Sequence, residues 1–110
     1  MPNVKIFVDD TRYASMQEAL SALLPDLRTF LCSSLMVDNA ACQLAVIPVM
    51  GVPDQPQVNV EIHLMPRPER TRASIIDLAD GLRDVLGKAT GQHVAVRVTT
   101  LDPASYLALK

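Results

Sequence analysis

Apolar and polar residues alternate along residues 3–9: Val4, Ile6 and Val8 fall on one side, Lys5, Phe7 and Asp9 on the other. A period of two marks a β-strand with one apolar face. Residues 9–11 read as a loop. Ser15 and Glu18 have the spacing of a capping box, which places a helix start there. Met16, Ala19, Leu20, Leu23, Leu24, Leu27, Phe30 and Leu31 then recur at intervals of three and four. That is an amphipathic helix of about five turns. Pro25 lies within it and predicts a kink or a break into two helices, because proline lacks the amide donor and crowds the preceding turn. Asp38 and Asn39 mark a turn. The apolar run at 42–50 predicts a buried strand, in which Pro48 signals an edge, a bulge or the strand's end. Residues 51–57, with two prolines and a glycine, are the connector.

The second half repeats the scheme. Val58, Val60, Ile62 and Leu64 alternate with Asn59, Glu61, His63 and Met65, and the sequence Pro66-Arg67-Pro68 ends that strand. Thr71 caps a second helix with the stripe Ile75, Ile76, Ala79, Leu82, Val85, Leu86 and Ala89. Asp84 and Lys88 pair on its outer face. Gly81 weakens it locally and marks a close approach; Gly91 is its stop. Val94, Val96 and Val98 alternate with Ala95, Arg97 and Thr99. Residues 101–106 turn, and 106–110 form a short strand or an arm. The order is β-α-β, linker, β-α-β, in a single domain of residues 1–110 with pseudo-repeat halves 1–51 and 58–110. In the first half a Pro2-x-Val-x-Ile-x-Val strand precedes Arg12 and a helix. In the second, Val58-x-Val-x-Ile-x-Leu precedes Arg67 and a helix.

Composition narrows the function. Of 110 residues, 49% are hydrophobic, with two Phe, two Tyr and no Trp, so the core is aliphatic and modest. A net charge of −2 without charge runs argues against a nucleic-acid or polybasic membrane surface. No apolar run is long enough for a membrane span, and no signal peptide is evident, so the expected location is cytoplasmic. Cys32 and Cys42 fit neither a disulfide scaffold nor a zinc site and read as reduced packing residues. No metal or cofactor is expected.

The candidate chemistry is at the start. If Met1 is removed, Pro2 becomes a secondary amine heading a strand, able to act as a general base once its pKa falls near the working pH. An apolar pocket and nearby arginines both lower an amine pKa. Arginines also grip carboxylates in a fixed bidentate geometry. Arg97, in a valine-rich strand, needs a partner or water, and Glu61 across the sheet is a candidate for a purely structural pairing. His63, on the same face, reads as an acid or base or, in preference, as a hydrogen-bonded structural histidine.

Met-Pro at the head of a strand, an arginine about ten residues on, and a doubled β-α-β pattern together resemble the tautomerase superfamily. The N-terminal segment resembles oxalocrotonate tautomerase. The doubled length, and residues 94–106, resemble carboxymethyl-hydroxymuconate isomerases and macrophage migration inhibitory factor. The resemblance implies an α+β fold: two β-α-β units forming a four-stranded mixed sheet with two helices on one face, assembled as a homotrimer. Asn59, Glu61, His63, Ala95, Arg97 and Thr99 would face the trimer interior. It implies an isomerase that moves a proton in small enol or keto carboxylates. Pro2 is then the catalytic base, Arg12, Arg67 and Arg97 bind substrate, and Leu64 and Met65 line the wall.

Two departures stand out. Residues 42–44 carry no arginine where the small tautomerases have one on their second strand. The inhibitory factor's pocket lysine and tyrosine are missing too, with Ala95 at the tyrosine's place. The alternatives are an inactive trimer of this fold, serving as a binding or structural protein, and a ferredoxin-like dimeric binding module with the same element order.

Overall fold

The computed structural model describes residues 2–110; Met1, on whose removal the Pro2 chemistry depends, lies outside the described residues. The elements are β1 (Asn3–Asp9), α1 (Asp10–Leu35), a one-turn 3-10 helix (Asn39–Ala41), β2 (Gln43–Val49), β3 (Val58–Leu64), α2 (Arg72–Thr90) and β4 (Val94–Thr100).

The strand order is β2-β1-β3-β4. β1 and β2 are parallel, as are β3 and β4, while β1 and β3 run antiparallel at the centre. Each β-α-β half therefore keeps its own two strands adjacent. A ferredoxin-like sheet would interleave them, so that alternative fails on topology. The α+β fold expected from the resemblance is the one observed.

Alternation sets the layers. Val4, Ile6, Val8, Val58, Val60, Ile62 and Leu64 are at most 1% exposed and face both helices. Burying each such side chain contributes about 1.5–3 kcal/mol. From α1 come Met16, Leu20, Leu27, Leu31, Cys32 and Leu35; from α2 come Leu78, Leu82 and Leu86. Leu78 holds the place expected of Ile76, which is left exposed.

The expected loop at 9–11 does not form. The Asp9 carboxylate accepts from the Thr11 amide at 2.9 Å and from its hydroxyl at 2.5 Å, so strand passes directly into helix. Ser15 is interior and donates to the Arg12 carbonyl, so it caps nothing. Nor does Pro25 break α1, which runs on to Leu35. Pro25 and Ser21, whose carbonyl loses its partner, are both exposed, so water can satisfy it, while the Leu20, Leu27 and Leu31 stripe stays buried. The apolar run after Cys42 is an edge strand rather than a buried one. Gln43, Ala45 and Pro48 are exposed, and Pro48 sits where an edge tolerates it.

α2 starts and stops as expected. The Thr71 hydroxyl accepts from the Ser74 amide at 3.2 Å, and Gly91 adopts φ +67°. Beyond β4, the Leu101 amide donates to the Leu64 carbonyl and Asp102 closes a turn. Residues 106–110 form no strand and are exposed. Among the described residues no helix is long and apolar enough to cross a membrane.

Candidate active site

The antiparallel β1–β3 pair decides which residues meet. Asn3 lies opposite His63 and Val4 opposite Ile62, so the head of β1 adjoins the tail of β3. The Gln43 amide donates to the Pro2 carbonyl at 3.1 Å, fixing Pro2 against the start of β2. Pro2 is buried. One end of the sheet thus gathers Pro2, the start of β2, and the segment leaving β3 with Met65, Arg67 and Arg70.

Arg67 lies three residues beyond β3, and the Arg70 amide closes a turn onto its carbonyl at 3.0 Å. Arg67 lines a hollow of about 430 Å³ with Ser33, Met36, Asp38 and Ala41. Met65, two residues before Arg67, is half-buried. Leu64 points the other way, into the core, so it supplies no wall to an open site on its own subunit.

Arg12 is exposed in the first turns of α1, past the far end of β1. A seven-residue strand spans roughly 23 Å, so one subunit does not bring Arg12 to its own Pro2. Arg97 is on the sheet face opposite the helices. The register puts it across from Glu61, which in turn faces Lys5. Its guanidinium donates instead to the Asn59 side-chain carbonyl, the neighbouring position on that face. His63 is exposed there, and no side-chain hydrogen bond among the described residues supports the expected structural role.

Three groups have shifted acidities. Burial, then the neighbouring Arg67, lowers the pKa of Arg70. The Thr11 hydroxyl and amide hold the Asp9 carboxyl below its usual range. Burial, then nearby Cys32, pushes the Cys42 thiol up to about 12. That makes Cys42 a packing residue and no nucleophile at neutral pH. Among the described residues no cluster of three His, Cys, Asp or Glu side chains could hold a metal.

Sequence reasoning passed over Arg70. Its signal was an arginine immediately before a helix cap, at the end of a proline-rich turn. The partners of Arg70 are main-chain carbonyls of Met65 and Leu35, which that signal does not name.

No family model matches the sequence, and no curated protein does. Solved structures match across nearly the whole chain. The macrophage migration inhibitory factor-like protein of Entamoeba histolytica superposes with a TM-score of 0.72 at 12% identity, covering 97% of this chain and 94% of its own. A member of the cis-3-chloroacrylic acid dehalogenase family gives 0.71 at 16% identity, covering 96% and 79%. A fused 4-OT, solved as an asymmetric trimer, gives 0.71 at 8% identity, covering 96% and 91%. The chain has the fold of the tautomerase superfamily. At these identities the likeness is one of backbone, and the chemistry has to be argued from this chain's own residues.

Proposed function

We propose that this chain is a tautomerase-type isomerase of small enol and keto carboxylates, with Pro2 as general base once Met1 is removed. The observation that carries the reading is the placement of Pro2. It is buried at the head of a central strand, at the sheet end that also holds Arg67 and Arg70. Once Met1 is gone, burial and cationic neighbours would both disfavour a protonated amine, the condition for a base at neutral pH. The amine would carry a proton between the carbon next to the substrate carbonyl and either the enol oxygen or another carbon, in either direction. Arg67 would hold the carboxylate and Met65 the apolar part.

The working unit is a homotrimer in this reading. Arg12 lies at the far end of β1 from its own Pro2, so it serves the site of a neighbouring subunit. Arg97 faces the interior, where it and Asn59 contribute polar contacts. Exposed apolar side chains at Met50, Val52, Leu107 and Leu109 supply surface to bury between copies.

The test is the intact mass of the native-start protein, followed by an enol assay with phenylpyruvate. Expected are loss of Met1, ketonisation above the solvent rate, and a fall of about a hundredfold or more in Pro2→Ala. Retained Met1 across hosts would remove the base and leave a binding protein of this fold.

A further inference from the structure

We propose that Arg70 is a positioning residue. It holds the turn carrying Met65 and Arg67 in the geometry that receives a substrate carboxylate. This rests on the reading of Arg67 as a carboxylate-binding group.

Arg70 ties this turn at three points. Its amide donates to the Arg67 carbonyl at 3.0 Å. One terminal nitrogen of its guanidinium donates to the Met65 carbonyl at 2.6 Å. The other donates to the carbonyl of Leu35, the last residue of α1, at 3.3 Å. A helix leaves its final carbonyls without internal partners, so Leu35 is a natural anchor. The segment leaving β3 is thereby fastened to the end of a helix fixed in the core.

The choice of arginine is informative. Among the described residues no carboxylate forms a salt bridge with Arg70. Its Nε is buried without a partner. A neutral donor would serve a carbonyl at less desolvation cost. Arg70 instead places a second positive charge beside Arg67, an unfavourable pairing that an incoming anion relieves. Its planar fork spans two carbonyls on different elements, which the single ammonium of lysine does not reproduce.

The experiment compares Arg70→Met, Arg70→Lys, Arg67→Ala and the Arg67→Ala/Arg70→Met double variant by kcat and KM with phenylpyruvate. Arg70→Met should raise KM about tenfold while kcat stays within about threefold. In the Arg67→Ala background the same change should add less than about twofold, because the two act as one unit. Arg70→Lys should recover only part of the affinity. Equal, additive losses, or a fall confined to kcat, would overturn the proposal. If Arg70→Met does not fold, Arg70→Lys carries the same comparison.

Amide hydrogen exchange separates this inference from the proposed function. The amide of residue 70, which donates to the Arg67 carbonyl, should lose about tenfold of its protection in the Arg70 variants while β1 and β3 amides keep theirs. Unchanged protection at that amide overturns the positioning role even in an active enzyme. Faster exchange in a protein that neither turns over nor binds a carboxylate leaves the turn's fastening intact and sinks its use.

Discussion

A β-carbon added to Gly81 would lie 2.7 Å from Cζ of Phe30. The two helices approach closely where α2 lacks a side chain and α1 presents a ring. Alanine gains about 1 kcal/mol over glycine from helix propensity, but overpacking costs about 1–3 kcal/mol. Gly81→Ala should therefore lower stability in urea by about 1 kcal/mol net. In a Phe30→Leu background the same change should become neutral or stabilising. A stabilised Gly81→Ala with Phe30 intact would show that the ring swings aside freely.

Asp9 stands between β1 and α1, and its carboxylate caps the helix. Its pKa is depressed in the folded state, so its contribution is complete above the ordinary aspartate value of 3.8 and is lost as pH falls through the lower folded value. Asp9→Ala should lower the urea midpoint at pH 7 and flatten the acid limb of the stability curve. Asp9→Asn should keep most of the cap and lose the acid dependence. Parallel pH curves for wild type and Asp9→Asn would contradict this account.

Cys42 behaves in the opposite sense. Its folded pKa is raised from an ordinary value of 9.0 to about 12. The buried neutral thiol favours the folded state fully below pH 9, and this contribution declines as pH rises toward 12. Cys42→Ala should remove part of the alkaline decline in stability. Native protein at pH 8 should take up iodoacetamide far more slowly at Cys42 than unfolded chains do, as peptide mass spectrometry can measure. Rapid native labelling would place the thiol in a different environment.

Arg12 and Pro2 offer a test of shared sites. Pro2→Ala and Arg12→Ala subunits should each be weakly active alone. Mixed by co-expression, they would form some sites with an intact proline from one subunit and an intact arginine from the next. Random assembly should restore about a quarter of wild-type activity. No recovery beyond the sum of the separate variants would rule out Arg12 acting across an interface.

Much of the fold was legible because the period-two segments were clean. Val4, Ile6 and Val8, and Val58, Val60, Ile62 and Leu64, named the buried faces without ambiguity. Thr71 and Gly91 bounded α2 through local chemistry that needs no tertiary partner. Errors came where two local signals competed. Ser15 and Glu18 formed a plausible capping box, but Asp9 and Thr11 cap one turn and more earlier. At Pro25 the local cost of proline was set against a stripe of leucines held by the sheet, and the leucines kept the helix whole. At Leu64 the resemblance suggested a pocket wall, while the alternation had already put this side chain on the core face, where it is buried. Arg70 was missed because its partners, Leu35 and Met65, are carbonyls. Main-chain acceptors leave no trace in residue identity.

Pro48 has a consequence beyond marking an edge. The Gln43 amide points inward to β1, so by the two-residue period the nitrogens of residues 44, 46 and 48 point outward. A strand from another molecule laid along this edge would find donors at Leu44 and Val46 and a gap at Pro48. Pairing along this edge therefore has two donors from β2 where three would otherwise stand. A long apolar edge is ordinarily a template for fibrous growth. Here one missing hydrogen blunts that template.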